Sequence, residues 1–260
     1  MFSEDCTILV TSCDAYRDVE RPFIRLWRKF WPDCPFETVL LTETARPDGE
    51  EAAFDRTIAT GRGKSWCEML VEGLSQIDTP YVMMVMNDYL LEAQVDTRLV
   101  LKRLGQAKEF NAANVRLEPN PPGRRPWPGT DLLECPKNVA YCVTCQTGIW
   151  NREYLAGLAR RNRSAWEFER FGSFMVADEK RPLLVAPRRE FPFIDSVHKG
   201  YWEKAGVRVC RENGVEVDFS SRSLPPLRVR VKEGLKALIF AVFPYTLIVR
   251  VQNILGVGAK

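Results

Sequence analysis

Apolar positions in the first half of the chain switch repeatedly between the two periods that mark strands and helices. Residues 7–10 form a short apolar run closed by Thr11-Ser12-Cys13-Asp14, which predicts a buried strand ending in a polar loop. Phe23, Leu26, Trp27, Phe30 and Trp31 then recur at the spacing that stacks side chains on one helical face, with Arg25, Arg28 and Lys29 on the other. Pro22 suits the first position of that helix, and Pro32-Asp33-Cys34-Pro35 ends it, because proline lacks the backbone donor and disfavours helical geometry before it. A second strand is expected over 36–42.

Glycines punctuate the loop at 61–64, and Ser65 with Glu68 makes a capping-box pattern for a helix running to about Ile77. Cys67, Leu70, Leu74 and Ile77 would face its core side. Thr79-Pro80 stops it, and residues 81–86, all apolar, predict a central strand covered on both faces. A helix is expected over 97–110 and strands over 113–117 and 139–144, the last leading through Gln146-Thr147-Gly148 into Ile149-Trp150. Asn151 is placed to cap a helix over Tyr154, Leu155 and Leu158. Residues 119–131, rich in proline and glycine and carrying Arg124, Arg125 and Trp127, read as either a mobile lid or an inert excursion. Trp166-Glu167-Phe168-Glu169 belongs to a further helix, and 183–186 and 191–197 are strand candidates. Alternation of this kind predicts an α/β fold, a mixed, mainly parallel sheet with helices on both faces.

Composition narrows the classes. The 260 residues suffice for one large domain, or a domain with a short appendage. Thirty-seven basic residues against 34 acidic ones leave a net charge of +3, too balanced to argue for nucleic acid as a partner. Eight cysteines fall largely inside apolar runs and read as reduced thiols; Cys142 and Cys145 form a C-x-x-C with no second pair or nearby histidine to complete a zinc site. Acids stand at positions 4 and 5, where a signal peptide carries bases, so a cytoplasmic catalytic part is expected.

Ligands of such sheets bind outside the carboxyl ends of the strands, which selects Thr11 to Asp14 and Asn87-Asp88. Asp88 directly follows the central strand, where Mg²⁺ or Mn²⁺ could bridge a carboxylate to a diphosphate; the plain alternative is a polar strand end making turn hydrogen bonds. Thr11 and Ser12 offer hydroxyls, Asp14 can accept from a ribose or base, and Tyr16 can stack. The same segment also reads as an ordinary strand-to-helix turn. Lys64, Ser65 and Trp66 precede a helix whose amino terminus favours phosphate or sugar oxygens, although Trp66 equally suits the core.

The stretch from Gly63 to Asp96 resembles the middle of bacterial GT-A glycosyltransferases of polysaccharide and lipopolysaccharide assembly, and the likeness extends over about residues 6–205. It implies a GT-A (Rossmann-like) fold and a nucleotide-sugar donor. The family's acidic signature falls on Asn87-Asp88, with Asn87 where an acid is more usual and Asp88 as ligand of metal and donor. The glycine loop beside the donor sugar is similar to Gln146 to Trp150, including Gly148. The motif supplying the catalytic base of inverting members resembles 166–169, so Glu169 is the expected base, or Glu167 if the register differs. The late histidine of the metal site resembles His198, with Lys199 or Lys64 near the departing diphosphate. The runner-up readings are a sugar-phosphate nucleotidyltransferase, whose basic glycine-rich first loop is absent from Ser12-Cys13-Asp14-Ala15, and a non-catalytic nucleotide-sugar-binding protein.

Beyond about residue 221 the character changes. Arg222, Arg228, Arg230, Lys232 and Lys236 face only Glu233 and lead into an apolar run at 237–243. Pro244 interrupts it and Arg250 closes it, short of the roughly 20 apolar residues of a spanning helix. Residues 1–221 are therefore expected to form the catalytic domain and 222–260 a tail. The tail would lie on the inner face of the cell membrane, close to a saccharide or polyprenyl-linked acceptor. Packing of the tail on the domain, or on another copy, is the alternative.

Overall fold

The computed structural model describes residues 3–44, 54–137, 139 and 141–229. A nine-stranded sheet forms the centre, in the order β3 (Arg56–Ala59), β2 (Thr38–Thr42), β1 (Cys6–Thr11), β4 (Tyr81–Met86), β9 (Gly148–Asn151), β6 (Asn114–Arg116), β10 (Leu183–Val185), β8 (Leu133–Glu134), β7 (Arg125–Pro126). The first four run parallel, β9 is antiparallel to both β4 and β6, and β10 resumes the parallel direction beside β6. This is the expected mixed, mainly parallel α/β sheet. A separate pair joins β5 (Tyr89–Leu91) to β11 (Phe193–Asp195), and β12 (Val197–His198) forms a hairpin with β13 (Tyr201–Trp202).

Strand side chains alternate between two cores. Ile8, Val10, Met83 and Val85 pack with Phe23 and Trp27 of α1 (Arg17–Phe30), Val100 and Leu104 of α3 (Thr97–Glu109) and Val207 of α6 (Lys204–Glu212). Leu9, Val82 and Met84 face the other way, onto Leu70 and Leu74 of α2 (Trp66–Ser75), Leu155 of α4 (Arg152–Ala159) and Phe168 of α5 (Ala165–Met175). Both faces of β1 and β4 are thus covered, which explains why their sequences are unbroken apolar runs.

Three local expectations are corrected. Helix α1 begins at Arg17, because a 3-10 turn at Asp14–Tyr16 feeds directly into it, so Pro22 lies inside the helix. Strand β3 had too little apolar character at Arg56 and Thr57 to be expected. No strand covers the described part of 139–144; the strand is β9, and Cys142 and Cys145 sit in an irregular buried segment before it. All eight cysteines are free thiols.

Residues 119–131 are held in place. Arg103 of α3, fully buried, reaches Asp131 at 2.6 Å and also binds Glu190, while Trp127 packs edge-on against Phe110. The expected tail from 230 onward lies outside the described residues. Its first member, Arg222, is 8% exposed and ion-pairs with Asp18 at 3.0 Å, and Ser223 accepts from the Trp202 amide. Among the described residues no helix is long and apolar enough to cross a membrane.

Gly148, expected beside a donor sugar, is buried where β9 passes between β4 and β6. A Cβ there would lie 3.2 Å from the Val115 carbonyl oxygen and 3.3 Å from the Arg116 Cα. Gly148→Ala is therefore expected to lower stability by about 1–2 kcal/mol, since strand backbone cannot yield as a side chain does. Urea denaturation measures it, and an unchanged midpoint would show that the sheet opens without cost.

Candidate functional site

Strand order reverses at β1: β2 and β3 lie to one side of it and β4 to the other, which makes the carboxyl ends of β1 and β4 the crevice of this sheet. Register fixes the meeting, with Thr11 opposite Met86. A cleft of about 190 Å³ opens there. Thr11, Ser12 and Cys13 come from the end of β1, Tyr16 from the 3-10 turn, Trp66 from the first position of α2, and Met86, Asn87 and Asp88 from the end of β4. Larger concavities lie elsewhere, around α4 and α5 and beside β7 and β8, away from both strand ends.

The two residues after β4 have opposite tasks. Asn87, 3% exposed, turns inward and donates to Ser12 Oγ at 2.9 Å and to the Tyr16 carbonyl at 3.2 Å, while Ser12 Oγ donates to the buried Glu20 at 2.7 Å. An acid at 87 would be repelled by Glu20 through that shared hydroxyl. The asparagine therefore ties the end of β4 to the first loop. Asp88 faces the cleft, and its Oδ1 is buried with no hydrogen-bond partner among the described residues. Burial, then the charge of Asp195, raise its pKa from 3.8 to about 7, against the opposing pull of Arg222.

Asp88 stands in a group that its sequence neighbours did not reveal. Residue 195 pairs across strands with Tyr89, and Ser196 donates both its amide and its hydroxyl to the Asp88 carbonyl at 2.8 Å. The Tyr89 hydroxyl is pushed well above its ordinary pKa by burial, then by Asp195, Asp88, Cys145 and Glu169. Carboxylates from the end of β4, from β11 and from α5 thus all act on one phenol. The Glu169 Oε1 accepts from Thr144 Oγ1 at 2.9 Å and from the Cys145 amide at 2.8 Å, so its position is fixed from the loop before β9. Glu167 is differently used: it takes the Arg163 amide at 2.8 Å while its own amide binds Ser164 Oγ, capping α5.

Arg222 adds a cation that the sequence reading gave to the tail. Its guanidinium lies over the Tyr16 ring, 4.4 Å from the centroid, is fixed by Asp18 and the Ala15 carbonyl, and acts on Asp88. Nothing in the local pattern around 222 signals this; a separation of 204 residues from Asp18 hides it. Asp195 was equally hidden, inside the strand candidate at 191–197, and nothing beside Tyr89 in the sequence points to its pairing with Asp195.

Other expected ligands lie outside this group or are already engaged. Lys64 binds Glu72 and the Thr60 carbonyl, and Ser65 is held in the capping box with Glu68. Asp14 accepts from Thr44 at 2.7 Å and Arg62 at 2.9 Å. His198 is exposed on β12, near enough to act on Asp195, and Lys199 with Gly200 forms the turn of that hairpin at φ +51° and +80°. Trp66 packs edge-on against Phe168 and keeps a buried Nε1–H beside the cleft that has no partner among the described residues.

The fit to a divalent ion follows from these donors. Among the described residues no three His, Cys, Asp or Glu side chains are grouped so as to hold one. The expected pair, Asp88 and His198, supplies two donors, fewer than such a group, and Asp195 acts on Asp88. That suits an ion held by one carboxylate, water and the substrate's own phosphates, and not one held by the protein by itself.

No family model matches the chain, and no curated protein matches its sequence. Among solved structures it is similar to S. aureus TarS, with TM-score 0.45 and 11% identity over 70% of this chain and 36% of that one, so the chain spans little more than a third of TarS. A cytidylyltransferase from Leptospira borgpetersenii serovar Hardjo-bovis gives TM-score 0.46 and 10% identity over 81% of this chain and 95% of that one. TarS 1–349 in complex with UDP-GlcNAc gives TM-score 0.42 and 12% identity over 80% and 65%.

Proposed function

We propose that the chain is a nucleotide-sugar-dependent glycosyltransferase, acting by a single displacement that inverts the anomeric centre. The observation that carries this reading is the unpartnered Asp88 Oδ1 at the reversal point of the sheet, with Asp195 acting on it and Glu169 acting on the adjoining Tyr89. A carboxylate so placed suits a divalent ion, which would offset the concentrated negative charge of a departing diphosphate.

In this reading the nucleoside occupies the cleft between Thr11 and Trp66, with Tyr16 as a stacking surface and the Trp66 Nε1–H as a donor. Arg222 supplies a fixed positive charge for the diphosphate. A divalent ion, when bound through Asp88, would neutralise the same phosphates as a Lewis acid. The acceptor hydroxyl attacks the anomeric carbon and gives its proton to Glu169 Oε2, since both of that residue's described hydrogen bonds fall on Oε1. The new glycosidic bond forms as the bond to phosphate breaks, and the nucleoside diphosphate leaves with the electron pair. The acceptor is a saccharide or lipid-linked saccharide of the cell surface.

The test is incubation with UDP-, GDP-, CMP- and dTDP-linked sugars, with and without Mn²⁺ and with saccharide acceptors. Release of the free nucleotide coupled to acceptor consumption supports transfer. Pyrophosphate made from a nucleoside triphosphate and a sugar phosphate would replace it with nucleotidyl transfer. Glu169→Gln is expected to lower kcat by about 10²-fold or more while changing donor Kd little, because a general base acts in the transition state. A variant with wild-type kcat would remove Glu169 from the chemistry.

A further inference from the structure

Helix α5 has two unlike sides. Phe168, Gly172 and Ser173 are buried against the sheet, and Glu169 points to the loop before β9. The outer side exposes three large aromatic residues: Trp166 at 70%, Phe171 at 49% and Phe174 at 71%. Trp166, Arg170 and Phe174 follow at intervals of four and so form one row along the helix. Just before the helix, Arg160, Arg161 and Arg163 are exposed, and none of these three nor Arg170 forms an ion pair among the described residues. A concavity of about 390 Å³ lies between the first three arginines, Asn162, Glu167, Phe171 and Met175. The two acids of α5 are both engaged, Glu167 as a cap and Glu169 on Thr144 and Cys145.

We propose that this face of α5 docks on an anionic lipid bilayer, the aromatic rings entering the headgroup region and the arginines binding lipid phosphates. Soluble proteins seldom expose several large aromatic side chains on one surface, and rings flanked by arginine match the interface of a bilayer, apolar on one side and anionic on the other. Charge complementarity selects this occupant. A second copy seated face to face would bring two clusters of four arginines together. The chain's own residues from 228 onward are themselves basic, with Arg228, Arg230, Lys232 and Lys236 against Glu233 before residue 237, and would be repelled in the same way. The proposal does not rest on the sugar-transfer reading. It would place the helix that carries Glu169 at the lipid surface.

The test is co-sedimentation of the full chain with phosphatidylcholine vesicles, with and without phosphatidylglycerol. Two variants are compared, Trp166→Ser/Phe171→Ser/Phe174→Ser and Arg160→Gln/Arg161→Gln/Arg163→Gln/Arg170→Gln. All these side chains are solvent-exposed, so unchanged circular dichroism and melting temperature are expected. Wild type should bind the anionic vesicles preferentially, with each arginine worth about fivefold in partitioning. Both variants should lose at least about tenfold. Equal binding of wild type to the two vesicle types, failure of wild type to sediment, or wild-type binding by the aromatic variant would each overturn the proposal. So would a dimer that the aromatic substitutions split in sedimentation velocity while vesicle binding persists. Because the readout is sedimentation, it is independent of whether any donor is turned over.

Discussion

Asp88→Asn is expected to give a protein more stable than the wild type at pH 8 and at least about a hundredfold slower in sugar transfer. Burial and the neighbouring Asp195 raise the Asp88 pKa from 3.8 to about 7, so the folded chain holds this proton more tightly than the unfolded chain does. The sign follows directly. Stability contributed by the protonated carboxyl is lost as pH rises from about 4 to about 7, and above that range the full cost of a buried carboxylate is present. Asparagine removes the charge and keeps the shape. The gain at pH 8 is on the order of 3 kcal/mol, or roughly 5–10 °C in Tm for a domain of this size, and should vanish near pH 4. Thermal melts of both proteins at the two pH values decide it. An equal Tm difference at pH 4 and pH 8 would mean that Asp88 is not a strained carboxylate, and undiminished transfer would mean that it is not in the site. The same carboxyl makes donor binding pH-dependent: an acid half protonated near pH 7 holds a cation better as pH rises. Donor affinity in the presence of Mn²⁺ should therefore increase from pH 6 to pH 8 in the wild type and stay flat in the variant.

Arg103→Met should be the most destabilising single substitution among the charged residues. Its guanidinium is buried and holds Asp131 at 2.6 and 2.9 Å through two nitrogens, binds Glu190 through Nε at 2.7 Å and again through Nη2, and reaches Gln106 at 2.8 Å. The Glu190 side chain is itself only 3% exposed. Methionine would fill much of the volume but leave Glu190 as a buried charge without its partner, a loss of about 3–5 kcal/mol. Lysine would rescue little, since one ammonium cannot serve two carboxylates through a planar fork. Adding Glu190→Gln to Arg103→Met should recover part of the loss, which distinguishes an unpaired charge from lost packing. Urea denaturation of the three variants measures this, and a single variant within about 1 kcal/mol of wild type would sink the argument. The Asp131 carboxyl is held well below the usual range by Arg103, so its contribution is present above pH 4 and is lost as pH falls further. Because residues 119–131 depend on this clamp, the variants should also become more sensitive to proteolysis there.

The sequence by itself determined the elements whose local signals agree. Apolar runs at 7–10 and 81–86, the Ser65 and Glu68 capping box, and the helical spacing of Phe23, Trp27 and their neighbours each specify one structure, and each formed. Since strand and helix alternate, the sheet had to be mainly parallel, and its carboxyl edge had to collect Thr11, Ser12, Asn87 and Asp88. Tertiary structure decided the rest. It turned β9 antiparallel between β4 and β6 and buried Gly148 there, through strand pairings that no local pattern encodes. Only the fold could bring Asp195 and Glu169 to act on Tyr89 next to Asp88, or carry Arg222 across the chain to Asp18 and Tyr16. It also divided two neighbouring acid candidates, giving Glu167 to a helix cap and Glu169 to Thr144 and the Cys145 amide, because residues two apart on a helix face different directions. Hydrophobic period is a property of neighbours in sequence and survives in one dimension; the pKa of Asp88 and the fixing of Arg222 are properties of neighbours in space, set only when distant segments exclude water together.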